Sequence, residues 1–292
     1  MHPSAMTNGK LFFDTYVARL GAVTVVEIGA QDVNGSLRDV CPTGARYIGV
    51  DFAKARGVDV VLTDPYSLPF DDESVDVVVS SSCFEHSEMF WLVFTEVLRV
   101  LKPGGIFYLN APSNGVFHRF PVDCWRFYPD SGKALVTWAR RCGVNAALIE
   151  SYTTPQQMDV WNDFVAVFAK DAGRIGEHPN RILPTLPAFD NGFMYGSDDL
   201  IHAVEEPQDL SVAKDLQAKL DREAARTARI ADELAAAIRR AETLAQELST
   251  SKSETGDANQ QVAMLEERVR KMEASASWKI TAPLRALTRS VG

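Results

Sequence analysis

Residues 23–51 read VTVVEIGAQDVNGSLRDVCPTGARYIGVD, and they decide the fold. An apolar strand over 23–26 runs into a turn at Gly29, and a second strand over 47–50 ends on Asp51. In Rossmann-like sheets, an acidic side chain at the end of the second strand, about 20 residues past a glycine turn, binds the two hydroxyls of a ribose. The pattern therefore predicts a parallel α/β sheet that binds a nucleoside.

The turn itself indicates which nucleoside fits. It reads GAQDVNG from Gly29 to Gly35, and it lacks the G-x-G-x-x-G spacing that surrounds a pyrophosphate. Asp32 stands where a phosphate would approach, so an anionic pyrophosphate is disfavoured. S-adenosylmethionine has no phosphate and carries a sulfonium cation, which suits a site near Glu27 and Asp32. The turn favours this cofactor over a nicotinamide dinucleotide, and a dehydrogenase is disfavoured.

Further motifs follow in a fixed order along the chain. They are Glu27-Ile28-Gly29, Gly49-Val50-Asp51, Thr63-Asp64 before Leu68-Pro69-Phe70, Glu85-His86, and Leu101-Lys102-Pro103-Gly104-Gly105. In order and spacing, over residues 20–170, they resemble the seven-strand S-adenosylmethionine-dependent methyltransferases. The chain departs from that family at the glycine loop, which usually reads Gly-x-Gly-x-Gly and here keeps only Gly29 and Gly35. The resemblance implies a seven-stranded Rossmann-like sheet whose last strand inserts antiparallel between its neighbours.

The resemblance also implies which residues bind the cofactor. Gly29 lets the backbone approach it, Glu27 lies near its amino-acid end, and Asp51 binds its ribose diol. Asp64 reaches the adenine amino group, and Glu85 lies beside the cofactor. For Asp51 and Asp64 the alternative is an acidic residue at a strand end that caps the following turn.

Methyl transfer to a hydroxyl requires alignment of the reactants and a base. The sequence offers His86, after the fourth predicted strand, and His118, on the loop 114–127. Both follow the carboxyl ends of strands, where open α/β sheets place their sites. His86 has a structural alternative, because the Glu-His pair often serves as a helix cap or packs against the cofactor.

The loop 114–127 concentrates charged and aromatic side chains, which suit a polar ring such as a sugar. The predicted substrate-binding residues are Arg119, Asp123, Trp125 and Arg126. The alternative is a loop bridged by an Arg–Asp pair that packs Trp125 and Phe127 into the core. No group of Asp, His and Glu has the spacing of metal ligands, so the sequence predicts no metal.

Composition sets broad limits. The chain has 292 residues, enough for one α/β domain and a second region, and its formal net charge of −9 argues against a nucleic-acid partner. Its four cysteines form no C-x-x-C pair, and no apolar start resembles a signal peptide, so we expect a cytoplasmic protein. No apolar stretch approaches the roughly 18 residues of a membrane span, so any membrane contact is expected to be peripheral.

The periodicity predicts the secondary structure of the first 170 residues. Strands are expected at 23–28, 47–51, 58–62, 75–80, 106–110, 146–150 and 164–169, and helices at 11–20, 90–101 and 134–141. Residues 1–170 are then the methyltransferase domain. The prolines, glycines and acidic residues of 171–209 indicate an irregular acidic linker or cap.

Over 210–277 the apolar period changes to seven, which predicts a coiled coil. One register places Leu220, Leu234, Leu248, Val262 and Val269 at a, and Leu216, Ile230, Leu244, Leu265 and Met272 at d. The seam is weak between Ser249 and Gln260. We expect self-association, because a lone helix of this length cannot bury its a/d stripe. The alternative is a single, partly frayed helix.

The basic tail 278–292 resembles the tails of bacterial glycosyltransferases and methyltransferases of cell-surface polysaccharide assembly. Ile280, Leu284, Leu287 and Val291 fall on one helical stripe beside Arg285 and Arg289. We expect the tail to lie on the inner face of the membrane or to bind a partner such as a glycosyltransferase. The alternative is a frayed terminus.

Together these features predict a class of protein: an α/β methyltransferase domain followed by a long helical coiled coil. The favoured function is O-methylation of a sugar in bacterial surface polysaccharide, of the O-antigen or capsule type, or in its lipid-linked precursor. The acceptor is then a glycan or a small molecule. The alternatives are a non-catalytic coiled-coil adaptor of a glycan-assembly complex and a small-molecule methyltransferase.

Overall fold

The computed structural model describes residues 2–157, 160–282 and 285. The chain divides into two compact units, Met1–Ser211 and Val212–Gly292. All the predicted catalytic and binding residues belong to the first unit.

The first unit is built on one mixed sheet. Its strands are β1 (Thr24–Ile28), β2 (Arg46–Asp51), β3 (Val60–Val61), β4 (Val75–Ser81), β5 (Leu101–Pro112), β6 (Ala147–Thr153), β7 (Asp163–Ala169) and β8 (Asp190–Met194). They are ordered β3-β2-β1-β4-β5-β7-β6-β8. Strands β1 to β5 pair in parallel, and β7 runs antiparallel between β5 and β6. The α/β Rossmann-like sheet and its antiparallel insertion are confirmed.

The sheet has eight strands where the resemblance implied seven. The additional strand, β8, lies at the edge against β6, inside the segment 171–209 that we predicted to be an irregular linker. The same segment satisfies a buried acid of β6, since Ile182 and Leu183 donate backbone hydrogen bonds of 2.7 and 3.0 Å to Glu150. The first unit therefore extends beyond residue 170. The sequence did not predict β8, because this strand has no apolar alternation and pairs only with the edge of β6.

Helices cover both faces of the sheet. On one face lie α2 (Phe90–Val100) and α3 (Ser131–Arg141). On the other lie α1 (Pro3–Phe12), a π-helical turn over Phe13–Val17 and short 3₁₀ turns. The strands between them are nearly continuous in apolar residues, as expected for a sheet buried on both faces. Fully buried side chains such as Phe94 and Phe107 each contribute about 1.5–3 kcal/mol of burial free energy.

The two largest differences in element boundaries from the prediction are at the first helix and at β5. The first helix begins at Pro3, which starts α1 ahead of the predicted range 11–20, because proline is tolerated in the first helical turn. The Pro-Gly-Gly sequence after α2 was expected to separate helix from strand, yet β5 already begins at Leu101, opposite Val75. A register shift between Val75 and Val77 accommodates these residues within the strand.

The second unit consists mainly of α4 (Gln208–Ala274), a helix of 67 residues that begins within the first unit and extends about 100 Å. It continues without a break through the weak part of the predicted seam, from Ser249 to Gln260. No residue of α4 is buried. The long helix is confirmed, and its pairing into a coiled coil stays a prediction.

A short helix, α5 (Ala276–Ile280), follows α4. The Ser275 hydroxyl caps it by accepting a 3.3 Å hydrogen bond from the Trp278 backbone N–H. The Arg285 guanidinium lies 3.7 Å from the centre of the Trp278 ring, a cation–π contact. Three members of the predicted tail stripe, Leu284, Leu287 and Val291, lie outside the described residues. Within the described part of the chain, no helix is long and apolar enough to cross a bilayer.

Candidate active site

A cleft opens at the carboxyl ends of β1, β2, β4 and β5, where parallel sheets place their sites. It consists of three adjoining cavities. The inner cavity, of about 330 Å³, and the middle cavity, of about 400 Å³, share Gly29, Asp51 and Cys83. The outer cavity, of about 500 Å³, shares Ser82 and His118 with the middle one. These shared walls make the three cavities one path from the predicted cofactor turn to the predicted substrate loop.

Gly29 forms the wall common to the inner and middle cavities. Its φ of +80° lies in the left-handed region, which favours glycine. A Cβ at this position would lie 2.5 Å from Cβ of Cys83. The turn is held in place by hydrogen bonds from the Gly29 and Ala30 N–H groups to the Val50 carbonyl, at 3.0 and 3.2 Å. The backbone can therefore line the cleft directly, as predicted for Gly29.

Asp51 lies at the end of β2, faces both cavities and is almost fully buried. Its Oδ1 accepts hydrogen bonds from Gln31 Nε2 at 2.7 Å and from the Ala53 N–H at 3.1 Å. The turn-capping alternative therefore applies to Oδ1, while Oδ2 has no hydrogen bond within the described residues. Phe52, half exposed, lines the same two cavities. The carboxylate, the Gln31 amide and the aromatic face together suit a nucleoside.

Asp64 does not occupy the position that we predicted. Its side chain is exposed, and Oδ1 accepts a 2.9 Å hydrogen bond from the Tyr66 N–H, so it caps the turn after β3. The neighbouring Leu62, Pro65 and Tyr66 line the inner cavity, whereas Asp64 does not. The geometry gives Asp64 the alternative role, and its predicted contact with adenine has no support from this arrangement.

Glu27 is buried behind the turn and lines none of the three cavities. The Ser36 hydroxyl donates to its carboxylate at 3.5 Å, and burial raises the pKa of Glu27 to about 7. Asp32 is also engaged, since Oδ1 accepts from the Gly35 N–H at 3.0 Å and Oδ2 pairs with Arg56 at 2.9 Å. Both acids organise the turn, so their attraction for a sulfonium is weaker than the sequence suggested.

Glu85 and His86 form a 3₁₀ turn after β4. Glu85 is fully buried, burial raises its pKa to about 8, and its Oε2 has no hydrogen-bond partner among the residues that the structure describes. Burial lowers the pKa of His86. The His86 ring presents Nδ1 to the Val122 carbonyl and Nε2 to Glu85 Oε1 at 3.7 Å. His86 lines the inner and middle cavities, and Glu85 lines the outer one.

His118 joins this pair from the substrate loop. Its ring stands edge-on to His86, 4.9 Å between centres, and 5.1 Å from the ring of Trp161. One ligand atom each of Glu85, His86 and His118 lies within 4.8 Å of the others. The two histidines that the sequence offered as alternatives are therefore neighbours. The sequence predicted no metal because His118 lies 32 residues beyond His86, and only the fold brings the three side chains together.

The other residues of the substrate loop divide into two groups. Asp123 and Arg126 form two hydrogen bonds, of 2.6 and 2.9 Å, and this guanidinium lowers the pKa of Asp123 to about 2. Asp123 also accepts from the His118 N–H at 2.7 Å, so the pair positions His118. This is the bridged loop that we considered as the alternative to substrate binding. Arg119 differs, because it is exposed in the middle cavity and has no ion pair within the described residues.

Trp125 follows the structural alternative in part. Its ring packs edge-on against Phe90 and Trp91, and Nε1 donates to the Ser87 carbonyl at 3.0 Å. Phe127 is buried in the core, as that alternative required. Trp125 lines none of the three cavities. Its predicted contact with a sugar therefore has no support from the geometry.

Sequence reasoning missed the residues that complete the outer cavity, including His2, Asn34 and Trp161. The N-terminal segment reaches the cleft because His2 Nε2 lies 3.0 Å from Asp163, to which Ser4 donates at 2.6 Å. No motif marks these positions, and their proximity depends on how α1 packs on the sheet. The unused hydrogen-bonding groups at the site are equally invisible in sequence. They are Ser81 Oγ, Ser82 Oγ, Glu85 Oε2 and Asn110 Nδ2, all buried without a partner within the described residues.

Comparisons with known proteins agree with this geometry. Residues 18–109 match the family model described as a methyltransferase domain. The residues around the cleft fit S-adenosylmethionine: a Cβ at Gly29 would fill the space beside Cys83, and Asp51 Oδ2 has no hydrogen bond within the described residues.

The relatives match only part of their length. The phthiotriol/phenolphthiotriol dimycocerosates methyltransferase of Mycobacterium tuberculosis is 38% identical over 103 residues, which cover 30% of this chain and 37% of that protein. An uncharacterized methyltransferase of Mycobacterium leprae is 31% identical over 124 residues, which cover 32% of this chain and 43% of that protein. The chain thus spans less than half the length of either relative.

Among solved structures, the chain aligns with 1,6-didemethyltoxoflavin-N1-methyltransferase of Burkholderia thailandensis, which contains bound S-adenosylhomocysteine. The identity is 16% and the TM-score 0.45, and the alignment covers 57% of this chain and 79% of that one.

Proposed function

We propose that the protein is an S-adenosylmethionine-dependent O-methyltransferase that acts on a hydroxyl of a sugar. The acceptor belongs to a bacterial surface polysaccharide of the O-antigen or capsule type, or to its lipid-linked precursor. The observation that carries the proposal is the continuity of the cleft. His118 lines both the middle cavity, with Gly29 and Asp51, and the outer cavity, with Trp161.

The cofactor supplies a methyl group on a sulfonium, which is already electrophilic, so the protein needs to bind, align and remove a proton. Asp51 Oδ2 and the Gln31 amide are placed to hold a ribose, and Phe52 is placed to cover a base. Gly29 allows the backbone to lie close to the ligand. These residues hold the cofactor end of the cleft.

His118 is the candidate base or acceptor-orienting residue. Its Nδ1 lies 3.1 Å from the Val116 carbonyl, which can only accept a hydrogen bond, so the proton resides on Nδ1 and the lone pair on Nε2. Because this tautomer is the one that accepts a proton at Nε2, His118 is suited to deprotonate an acceptor hydroxyl. The Asp123–Arg126 pair holds the loop that carries it.

The choice of a sugar rests on the lining of the outer part of the cleft. The ring of Trp161, which stacks on that of His2, lines the outer cavity together with Asn34 and Ser82. Arg119 adds a cationic donor in the adjoining middle cavity. Aromatic faces with surrounding polar groups suit the mixed surface of a pyranose ring. A polar small molecule with a hydroxyl is the other acceptor that this lining accommodates.

We further propose that α4 mediates self-association. Its exposed large apolar side chains include Leu216, Leu220, Ile230, Leu234, Leu244, Leu248, Val262, Leu265, Val269 and Met272. These are the a and d positions of the predicted heptads, and a second copy of the same helix would cover them. The tail 278–292 then serves for peripheral contact at the inner face of the membrane or with a glycosyltransferase. Removing the tail should weaken binding to anionic vesicles and leave self-association intact.

A non-catalytic adaptor is the second candidate. It is favoured by the reduced glycine loop and by Asp64, which caps a turn and does not line the cofactor cavity. Titration calorimetry with S-adenosylmethionine separates the two candidates, since only the enzyme requires binding. Mass spectrometry of surface glycans from cells with and without the protein then identifies the acceptor. Loss of a methyl ether on a glycan supports the sugar, and unchanged glycans with intact cofactor binding favour a small molecule.

A further inference from the structure

Glu85, His86 and His118 form a cluster whose members line the three cavities of the cleft. One ligand atom from each lies within 4.8 Å of the others. Glu85 Oε1 and His86 Nε2 are 3.7 Å apart. Two ligands bound at about 2.1 Å to one ion are 3.7 Å apart when the angle at the ion is about 120°. This pair already has the spacing of two ligands of one metal, and His118 needs to move little to become a third.

Both histidines are oriented as metal ligands are. In metal sites, the second ring nitrogen of a ligating histidine usually donates to a backbone carbonyl or a carboxylate. Here Nδ1 of His86 faces the Val122 carbonyl, and Nδ1 of His118 faces the Val116 carbonyl. Each ring therefore carries its lone pair on Nε2, the form that binds a cation.

The carboxylate provides an independent observation. Glu85 is fully buried, and its Oε2 has no hydrogen-bond partner within the described residues. Buried polar atoms in native structures nearly always have a partner, and an orphan calls for a missing water, ion or ligand. A cation between Glu85 and the two imidazoles would satisfy Oε2 if the carboxylate binds it through both oxygens, since Oε1 already has the spacing of a ligand.

We propose that Glu85, His86 and His118 bind one divalent first-row transition-metal ion and leave its remaining coordination positions open. Two imidazoles and one carboxylate suit Mn²⁺, Fe²⁺, Co²⁺ or Zn²⁺, whereas Ca²⁺ takes an all-oxygen set of six to eight ligands. Three protein ligands with open positions are typical of catalytic sites, because structural zinc sites are closed by four.

The location indicates what the open positions bind. His86 lines the inner and middle cavities, His118 the middle and outer, and Glu85 the outer. The ion thus faces the space assigned to the acceptor, and hydroxyl oxygens of a sugar are suitable ligands. This assignment rests on the proposed function, whereas metal binding itself does not. A nitrogen bound to a metal accepts no proton, so the ion would act in place of His118 by lowering the pKa of a bound hydroxyl, whose proton would pass to water.

The test is a titration of the full chain, without an affinity tag and stripped of metal, with Co²⁺, followed by its visible d–d absorption. We expect one Co²⁺ per chain. Glu85→Gln, His86→Ala and His118→Ala should each weaken binding by at least ~10-fold, since even loss of an outer-shell partner has that effect. Glu85→Gln keeps the side-chain volume, so this variant separates lost ligation from lost folding, and circular dichroism checks the fold of all three.

His202→Ala is the matched control. This histidine belongs to the same unit, and its ring stacks on Phe189 at 4.6 Å, away from the cluster. It should bind Co²⁺ as the wild type does. Wild-type protein without Co²⁺ absorption, or folded Glu85, His86 and His118 variants that bind Co²⁺ normally, would overturn the site.

Cofactor calorimetry on the same samples keeps the two proposals apart. A chain that binds S-adenosylmethionine but not Co²⁺ refutes the metal site and leaves the proposed function standing. A chain that binds Co²⁺ but not S-adenosylmethionine supports the metal site and refutes the proposed function.

Discussion

The sheet unit and the long helix present apolar residues with equal regularity, and they differ in what covers them. Val78, Phe94 and Phe107 are fully buried within the first unit, whereas Leu220 and Leu244 on α4 are more than 60% exposed. Burial of apolar area is the main source of stability, so the first unit can fold on its own contacts. No residue of α4 is buried, and the proposed self-association would supply this burial, because tertiary packing supplies most of the stability of a helix.

Cutting the chain between the two units should have the largest effect. We expect the full chain to be a dimer or trimer and a chain ending at Ser211 to be a monomer that still binds S-adenosylmethionine, since every residue of the cleft lies before that point. Light scattering and cofactor titration measure both properties. A monomeric full chain would show that the exposed stripe of α4 has no self-partner.

A shorter cut sharpens the same comparison. A chain ending at Gly173 lacks β8 and the two backbone donors of Ile182 and Leu183, so the buried Glu150 carboxylate loses two of its hydrogen bonds and keeps the 2.6 Å bond from the Tyr16 hydroxyl. Leaving a buried charge unsatisfied is strongly destabilising. We expect this chain to be insoluble or to melt well below the chain ending at Ser211. Equal melting temperatures would restore 170 as the end of the domain.

Substitution of the two adjacent histidines should have the next largest effect. His118→Ala should slow methyl transfer by about 10²-fold or more while cofactor binding remains near that of the wild type. His86→Ala should also reduce turnover, because the two rings are in contact. Single-turnover kinetics and calorimetry give the two quantities. An active His118→Ala variant beside an inactive His86→Ala variant would assign the base to His86.

Asp51→Ala should weaken S-adenosylmethionine binding by about 10- to 100-fold, equivalent to about 1.5–3 kcal/mol for lost charge-assisted hydrogen bonds. Asp64→Ala is the matched control, since this acid also follows a strand of the sheet but caps an exposed turn. Its affinity should stay near that of the wild type. A result in which Asp64→Ala is the more damaging change would restore the adenine contact that the sequence suggested.

The smallest expected effect is the contribution of Glu27 to the pH dependence of the free energy of unfolding. Burial raises the pKa of Glu27 from 4.5 to about 7, opposed by Arg38, while the neighbouring Tyr47 and Cys41 have raised pKa values and stay neutral. A carboxyl whose pKa is raised by folding stabilises the folded state at pH values below its pKa in the unfolded chain. This stability is lost as the pH rises through the folded pKa of about 7.

Glu27→Gln should therefore flatten the stability profile between pH 4.5 and pH 7. Relative to the wild type, the variant should gain about 1–3 kcal/mol on going from pH 5 to pH 8. Urea unfolding at the two pH values measures the difference. Parallel profiles for wild type and variant would mean that Glu27 has an ordinary pKa.

The strengths and failures of the sequence predictions have separate causes. Local apolar periodicity predicts the strands of the parallel sheet, α2 and α4. The tertiary structure contains these elements. Glu85, His86 and His118 were each identified, but as separate candidates. Their convergence depends on the path of a loop between β5 and α3, and no spacing rule encodes such a path. The predicted adenine contact of Asp64 has no support from the geometry. A carboxylate that follows a strand can bind a ligand or cap a turn, and both uses look alike in sequence.

The antiparallel insertion of β7 was implied only by the family resemblance. By itself, the sequence determined the strands of the sheet, the glycine turn with Asp51 after it, and a helix of nearly 70 residues. All of these are properties of nearest neighbours along the chain: apolar runs, a backbone that needs a positive φ, and a heptad period. Only the tertiary structure decided that β8 completes the sheet, that His2 and Trp161 close the outer cavity, and that two histidines and a buried glutamate share one point. Those features join residues far apart in the chain, and the free energy that holds them comes from packing and hydrogen bonds that exist only once the sheet is assembled.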